Sequence, residues 1–288
     1  MVPWVVIALM AGLGAATSDA LLKKFFSGLT PYEMGLARLL YAFPWMALIF
    51  AFVSWPETNL TFWICVAIAL PLEIAAFLIY MKALKVAPLS LSIPFLAFTP
   101  VFVILTGRIV LGEKISLWGC AGILLIVAGS YILNLSKLAA GWARPFKAAL
   151  EEPGSRYMIL VSFIFSITST IGKLAVVNSE PVFFGMMYSM LLTIVMALMW
   201  PFSNAGSGSF LARPAAGAIL GLVVALTVIC HMVAISRIEA AYMISIKRTS
   251  LLFSVLYGAF WFREERIRER IAGAALMLAG IFLIGFLN

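Results

Sequence analysis

Charge is what this sequence has least of. Asp, Glu, Lys and Arg make up 11% of its 288 residues, against 64% hydrophobic, and the mean hydropathy is +1.10. A water-soluble domain carries roughly a quarter of its residues as charged side chains, so a soluble globular fold is excluded. Histidine occurs once, at His231, and neither HExxH nor GxSxG is present. A hydrolase or transferase needs a nucleophile–base pair or a metal cluster, and this chain is poorly furnished for both. There is no Walker A loop, so ATP does not drive the protein directly; no cofactor and no metal are implied. Cys65, Cys120 and Cys230 all fall inside apolar stretches, which reads as packing and not as a disulfide framework. The opening MVPWVVIALM lacks the positive flank of a signal peptide and is expected to stay as a first helix.

What the chain does have is a succession of apolar runs, each long enough to cross about 30 Å of hydrocarbon. The spacing predicts spans at 2–22, 32–54, 60–82, 88–110, 116–134, 156–176, 182–202, 215–236, 240–262 and 268–287. The expected fold class is an all-α membrane protein, with ten transmembrane helices arranged as two inverted five-helix repeats. The net charge of +8 sits mostly in short loops, where membrane topology explains it, so nucleic acid is not an expected partner. The longest loop, from Leu135 to Ser155, contains KLAAGWARPFKAAL. That stretch suits either an interfacial amphipathic helix or a solvated linker.

The halves repeat each other. LKKFFSGLTPYEMG around Lys24 answers GKLAVVNSEPVFFG around Lys173, setting Pro31 against Pro181 and Gly35 against Gly185. LGEKISLWGCAGILLIVAG answers FREERIRERIAGAALMLAG, which pairs Glu113 with Glu265 and Gly129 with Gly280. The expected boundaries are 1–136 and 156–288 for the repeats, with 137–155 between them. Five crossings are an odd number, so the second copy enters the membrane inverted. That is a transporter device, with the substrate site near the midplane between the halves. Of the basic residues outside the span centres, thirteen, from Lys23 to Arg270, fall on one side. Only four (Arg108, Lys114, Lys173 and Arg237) fall on the other. The basic side is expected in the cytoplasm, with both termini outside, in a bacterial inner (plasma) membrane.

Two segments carry a family resemblance: APLSLSIPFLAFTPVFVILTGRIVLGEKIS (87–116) and SIKRTSLLFSVLYGAFWFREERI (245–267). With the five-plus-five duplication, they make nearly the whole chain resemble the EamA-type members of the drug/metabolite transporter superfamily. The resemblance implies a central site lined by helices one to four and six to nine, with helices five and ten peripheral. Phosphate-translocating relatives hold anionic substrate on a Lys-Arg pair in helix nine, which Lys247-Arg248 matches. Lys173 and His231 match no ligand securely enough to be carried over.

The same pair stands out on physical grounds. AAYMISIKRTSLLFSVLYGAFWF (240–262) carries no charge except Lys247 and Arg248. Each cation at a helix centre costs about 2.5–3.5 kcal/mol on insertion scales, so the pair costs roughly 5–7. Successive helical positions stand about 100° apart, so the two are expected to point in different directions. Lys247 shares a face with Ser250, Ser254 and Gly258, while Arg248 turns toward a neighbouring helix or the cavity edge. Protein carboxylates can neutralise the pair, but Glu73 is the only acid near the middle of helix three. Asp19 lies nearer the cytoplasmic end, within reach of Lys23 or Arg38. One central carboxylate against two central cations leaves an excess of one positive charge for a substrate carboxylate or phosphate. Glu73 can hold an ammonium, carry a proton or restrain Lys247. His231 reads either as a packing residue or as a proton carrier and hydrogen-bond donor.

Pro44, Pro71, Pro94 and Pro100 are expected to interrupt helices two, three and four. Tyr80, Tyr41, Trp45, Tyr188 and Tyr242 are candidates to line the path, against a plain packing role. Gly122 with Gly129, and Gly273 with Gly280, suit close helix packing, either within the chain or in a homodimer through helices five and ten. The expected substrate-binding set is Lys247, Arg248, Glu73, His231, Ser250 and Tyr80. The expected partners are a small, anionic molecule and the lipid bilayer. The leading expectation is a secondary transporter of a carboxylate- or phosphate-bearing metabolite. The alternatives are an exporter of amino acids or other zwitterions and, less favoured, a non-transport membrane protein or a channel.

Overall fold

The computed structural model describes residues 3–86, 93–135, 153–202, 213–262 and 271–286. Among them the chain forms eleven α-helices and two short 3-10 helices, with no strand. The helices are α1 (Pro3–Phe26), α2 (Pro31–Phe50), α3 (Leu60–Val86), α4 (Thr99–Val110) and α5 (Leu117–Leu135) in the first repeat. The second holds α6 (Pro153–Val177), α7 (Pro181–Met199), α8 (Pro214–Ile235), α9 (Ala240–Lys247), α10 (Ser250–Phe262) and α11 (Ile271–Phe286). The 3-10 helices are Ile93–Phe98 and Trp200–Phe202.

Local chemistry starts several helices the same way in both repeats. Pro31 and Pro181 open α2 and α7 at the first turn, where a missing N–H costs nothing. Before Pro31, Thr30 and Glu33 form a reciprocal capping box, at 3.3 and 2.8 Å. Before Pro181, the Glu180 carboxylate accepts from the Phe183 amide at 2.6 Å.

Six helices (α1, α2, α3, α6, α7 and α8) are long and apolar enough to cross a membrane. Large apolar side chains such as Leu48, Ile64, Leu198 and Leu278 face outward from the bundle, as lipid contact requires. The remaining expected spans are shorter or divided. Span four comprises the 3-10 helix 93–98 and α4, its start lying outside the described residues. Span nine is split into α9 and α10 where one continuous helix was expected. Span ten appears as α11, with 263–270 outside the described residues, as are 137–150 of the long loop. The prolines act less disruptively than expected. Pro44 and Pro71 lie inside α2 and α3 without ending them, and Pro100 sits in the first turn of α4.

Packing follows the exchange of repeats. α3 lies against α6, and its mate contact sets α8 against α1; α2 meets α7, and α5 meets α11. The glycines of the last pair face each other inside the chain. A Cβ on Gly122 would stand 2.8 Å from the Gly280 carbonyl oxygen, and one on Gly129 would press on Gly273. Between intrachain packing and a dimer seam, this glycine face is used within the chain. α1, α3, α6 and α8 surround the centre, and the two divided spans pass through it.

Candidate functional site

The backbone of span nine breaks where its cations stand. Arg248 and Thr249 separate α9 from α10, and the amide ladder tightens there from i−4 to i−3. Thr249 donates to Ile246 at 2.9 Å, Leu251 to Arg248 at 3.0 Å and Leu252 to Thr249 at 2.8 Å. A 3-10 turn winds more tightly than an α-helix, so side chains on either side lose their α-helical spacing. This corrects the expectation that the cations diverge: Lys247, Arg248 and Ser250 all line one cavity. The expected face through Ser254 does not continue into the lining, because α9 ends at Lys247. α1 presses against the break, where a Cβ on Gly12 would meet the Thr249 hydroxyl at 2.9 Å and the Lys247 carbonyl at 3.2 Å.

Span four changes from 3-10 to α-helix between Phe98 and Thr99. Pairing Glu113 with Glu265 sets Thr99 opposite Leu251, so the two interruptions are equivalent in the repeat. They also touch. Arg248 Nη2 donates to Thr99 Oγ1 at 2.8 Å, and the Thr99 hydroxyl donates to the Leu96 carbonyl at 2.7 Å. Ser162 of α6 stands 3.1 Å from the same hydroxyl. Discontinuous helices meeting near the midplane are a recurrent way to build a transport site.

The cavity between them has a volume of about 350 Å3. Spans one to four and six to nine supply its lining, and no described residue of α5 or α11 takes part. Glu73 and His231 line it alongside Lys247 and Arg248; Tyr80 does not. Among the described residues, neither Lys247 nor Glu73 has an ion pair, and a side-chain hydrogen bond joins Thr168 to Glu73. Arg248 Nε, His231 Nδ1 and Tyr188 Oη are buried without a hydrogen-bond partner, and all three residues line the cavity. Unmet polar groups in a low-dielectric interior are costly, and several converging on one space mark where a polar ligand can repay that cost.

Asp19 and Arg38 join the same lining as an ion pair at 3.0 Å, with side chains 60% and 32% exposed. Neither belonged to the expected site. The intramembrane acid and base were visible in the sequence, but their approach across α1 and α2 was needed to place them there. Of the candidate aromatics, Tyr188 lines the cavity. Tyr41 covers Gly217 and Gly221 of α8, Trp45 donates to the Ala218 carbonyl at 2.9 Å, and Tyr242 accepts from the Ser116 amide at 3.0 Å. Those three are packing residues. No group of three His, Cys, Asp or Glu side chains gathers as a metal site among the described residues.

A latch covers one end of the site. α4 ends in a tight turn at Gly112, whose φ of +68° suits glycine, and the turn delivers Glu113 to the start of α9. The carboxylate accepts from the Ala240 amide at 3.0 and 3.1 Å. It also pairs with Lys173 of α6, whose ammonium donates in addition to the Ile238 carbonyl. The pair is largely buried, at 12% and 9% side-chain exposure. Nearby, Asn59 donates to Asn178 at 2.7 Å.

Comparisons with known proteins place the whole chain in one context. The model of the EamA-like transporter family matches twice, at residues 2–135 and 153–286. A solved crystal structure superposes on 99% of this chain and 96% of its own, with a TM-score of 0.73 at 16% identity. At that identity the likeness shows the fold alone. Against the curated proteins the sequence has no match.

Proposed function

The chain belongs to the EamA-like transporter family, and from that premise we propose that it is a secondary active transporter moving a small anionic metabolite across the membrane by alternating access. It is an integral, multi-pass membrane protein of the drug/metabolite transporter type, and it would complete ten crossings in two inverted repeats. One observation carries the substrate charge. The cavity lining holds three cations (Arg38, Lys247 and Arg248) and two acids (Asp19 and Glu73). Asp19 satisfies Arg38, which leaves Lys247 and Arg248 against Glu73. A carboxylate or phosphate would restore neutrality, accepting from the Lys247 ammonium and from the unpartnered Arg248 Nε.

The positive-inside count would place the Asp19–Arg38 end toward the cytoplasm of a bacterial inner membrane, with both termini outside. The Glu113–Lys173 latch would then close the outer face, and alternating access would break it as the cytoplasmic side shuts. A homodimer would need the outward faces of α5 and α11, since their glycine faces are already joined.

A second reading is favoured by the absence of contact between Glu73 and Lys247. A zwitterion would bridge them, with carboxylate on the cations and ammonium on Glu73. Thermal stability of the purified protein against anionic, zwitterionic and cationic metabolites, beside Lys247→Gln/Arg248→Gln, separates the two. A ligand at 100 times its Kd adds about 2.7 kcal/mol to the folded state. Stabilisation of the wild type by carboxylates or phosphates, lost in the variant, supports the anion reading. Stabilisation by zwitterions alone moves the assignment to the second reading, and equal behaviour of the two proteins overturns both.

A further inference from the structure

The charged groups occupy only part of the cavity. Helix direction sets α6, α8 and the start of α9 with their 177, 235 and 240 ends at the same face of the bundle. Near that face the lining is apolar: Phe184, Ile235 and Ile244 are all buried, and Gly172 of α6 joins the lining there. Phe184 stacks on Tyr188, with ring centroids 5.3 Å apart. The Lys173 latch follows directly in the chain and covers this apolar end.

Gly172 differs from most of the helical glycines in the bundle. Glycine in a helix interior is disfavoured relative to alanine, so its presence calls for a reason. At Gly14, Gly35, Gly129, Gly185 and Gly221 the reason is contact: an added Cβ would overlap a neighbouring helix. At Gly172 the added atom would meet only the Phe184 ring, at 3.8 Å, an ordinary van der Waals separation. Helix packing does not require this glycine, and the space it leaves belongs to the cavity.

We infer that the substrate is an amphipathic organic anion whose apolar arm lies against the cavity wall formed by Gly172 and Phe184, and that Gly172 sets the size of arm accepted. This rests on the anion reading of Lys247 and Arg248. A cavity of about 350 Å3 lies at the small end of the range of small-molecule sites. A densely hydroxylated body would leave its hydroxyls unpaired against Phe184, Ile235 and Ile244.

The test uses straight-chain monocarboxylates from acetate to hexanoate, with inorganic phosphate as an anion lacking an arm. In the wild type, thermal stabilisation should rise with chain length. Gly172→Val should keep the acetate response and weaken hexanoate binding at least tenfold, with Gly172→Ala intermediate. Phosphate or acetate binding the wild type better than hexanoate, or an unchanged hexanoate response in Gly172→Val, overturns the inference while leaving the anion site standing. A thiol probe works without any ligand. In a background with Cys65, Cys120 and Cys230 replaced by alanine, Gly172→Cys should react with a small methanethiosulfonate reagent. A reactive thiol with no anion stabilising the wild type would sink the anion reading but keep the pocket. An unreactive thiol would sink the pocket.

Discussion

Spans four and nine hold equivalent places in the two repeats, and both are divided. Span four enters as a 3-10 helix with Pro94 inside it, then runs as α4 with Pro100 in its first turn. Its interruption carries a hydroxyl, Thr99. Span nine has no proline, and its interruption carries Lys247 and Arg248. The same backbone event is thus accompanied by imino acids in one repeat and by charge in the other. A duplication requires only the fold to be symmetric. The chemistry at the pseudo-twofold can diverge, and one half can supply the acceptor that the other half's donor needs.

Each divided span also holds the other in place. Glu113, delivered by the turn after α4, caps α9, while Arg248 at the end of α9 donates to Thr99 at the start of α4. Removing the first of these links should have the largest effect. Glu113→Gln strips Lys173 of its carboxylate in a largely buried setting, where breaking an ion pair costs about 3–5 kcal/mol. A clear drop in thermal midpoint is expected in detergent, together with faster labelling of a thiol introduced by Ile244→Cys. An unchanged midpoint would mean that the latch does not anchor α9.

The second link is smaller. Thr99→Val removes the acceptor for Arg248 Nη2, and hydrogen bonds to charged groups are worth about 1.5–3 kcal/mol. The loss should be largely absent when Arg248 is already Gln. A double-mutant cycle measures that coupling, and strict additivity would show that the two interruptions act independently.

The smallest effect should come from the proline. Pro100→Ala sits in a first helical turn, where proline is tolerated, so the change should cost no more than about 1 kcal/mol through the unfolded chain. If instead span four straightened and transport failed, Pro100 would be the cause of the break.

Much of the fold could be read directly. Helical class, the duplication and a central pair of cations follow from apolar run length and from paired residues such as Pro31 with Pro181. The division of span nine could not be read, because AAYMISIKRTSLLF contains no helix-breaking residue. Glu73, His231 and Ser250 were found by asking which polar residues lie within apolar spans. Tyr80 satisfied the same criterion and lies outside the cavity, because a span's sequence does not say which face turns inward. Asp19, Arg38 and Thr99 were missed as lining residues for the same reason. Gly172 carried no signal, since a glycine that relieves a clash and one that leaves space look alike in a sequence.

The sequence by itself determined that this chain lies in a bilayer, repeats once and places two cations where hydrocarbon would otherwise be. Those outcomes depend on composition and on order along the chain, which solvation and segment length read locally. Tertiary structure decided which side chains meet. It joined Arg248 to Thr99, kept Lys247 apart from Glu73 and closed one end with Glu113 and Lys173. Each of those contacts depends on how helices distant in sequence rotate and cross, and no local energy term encodes that.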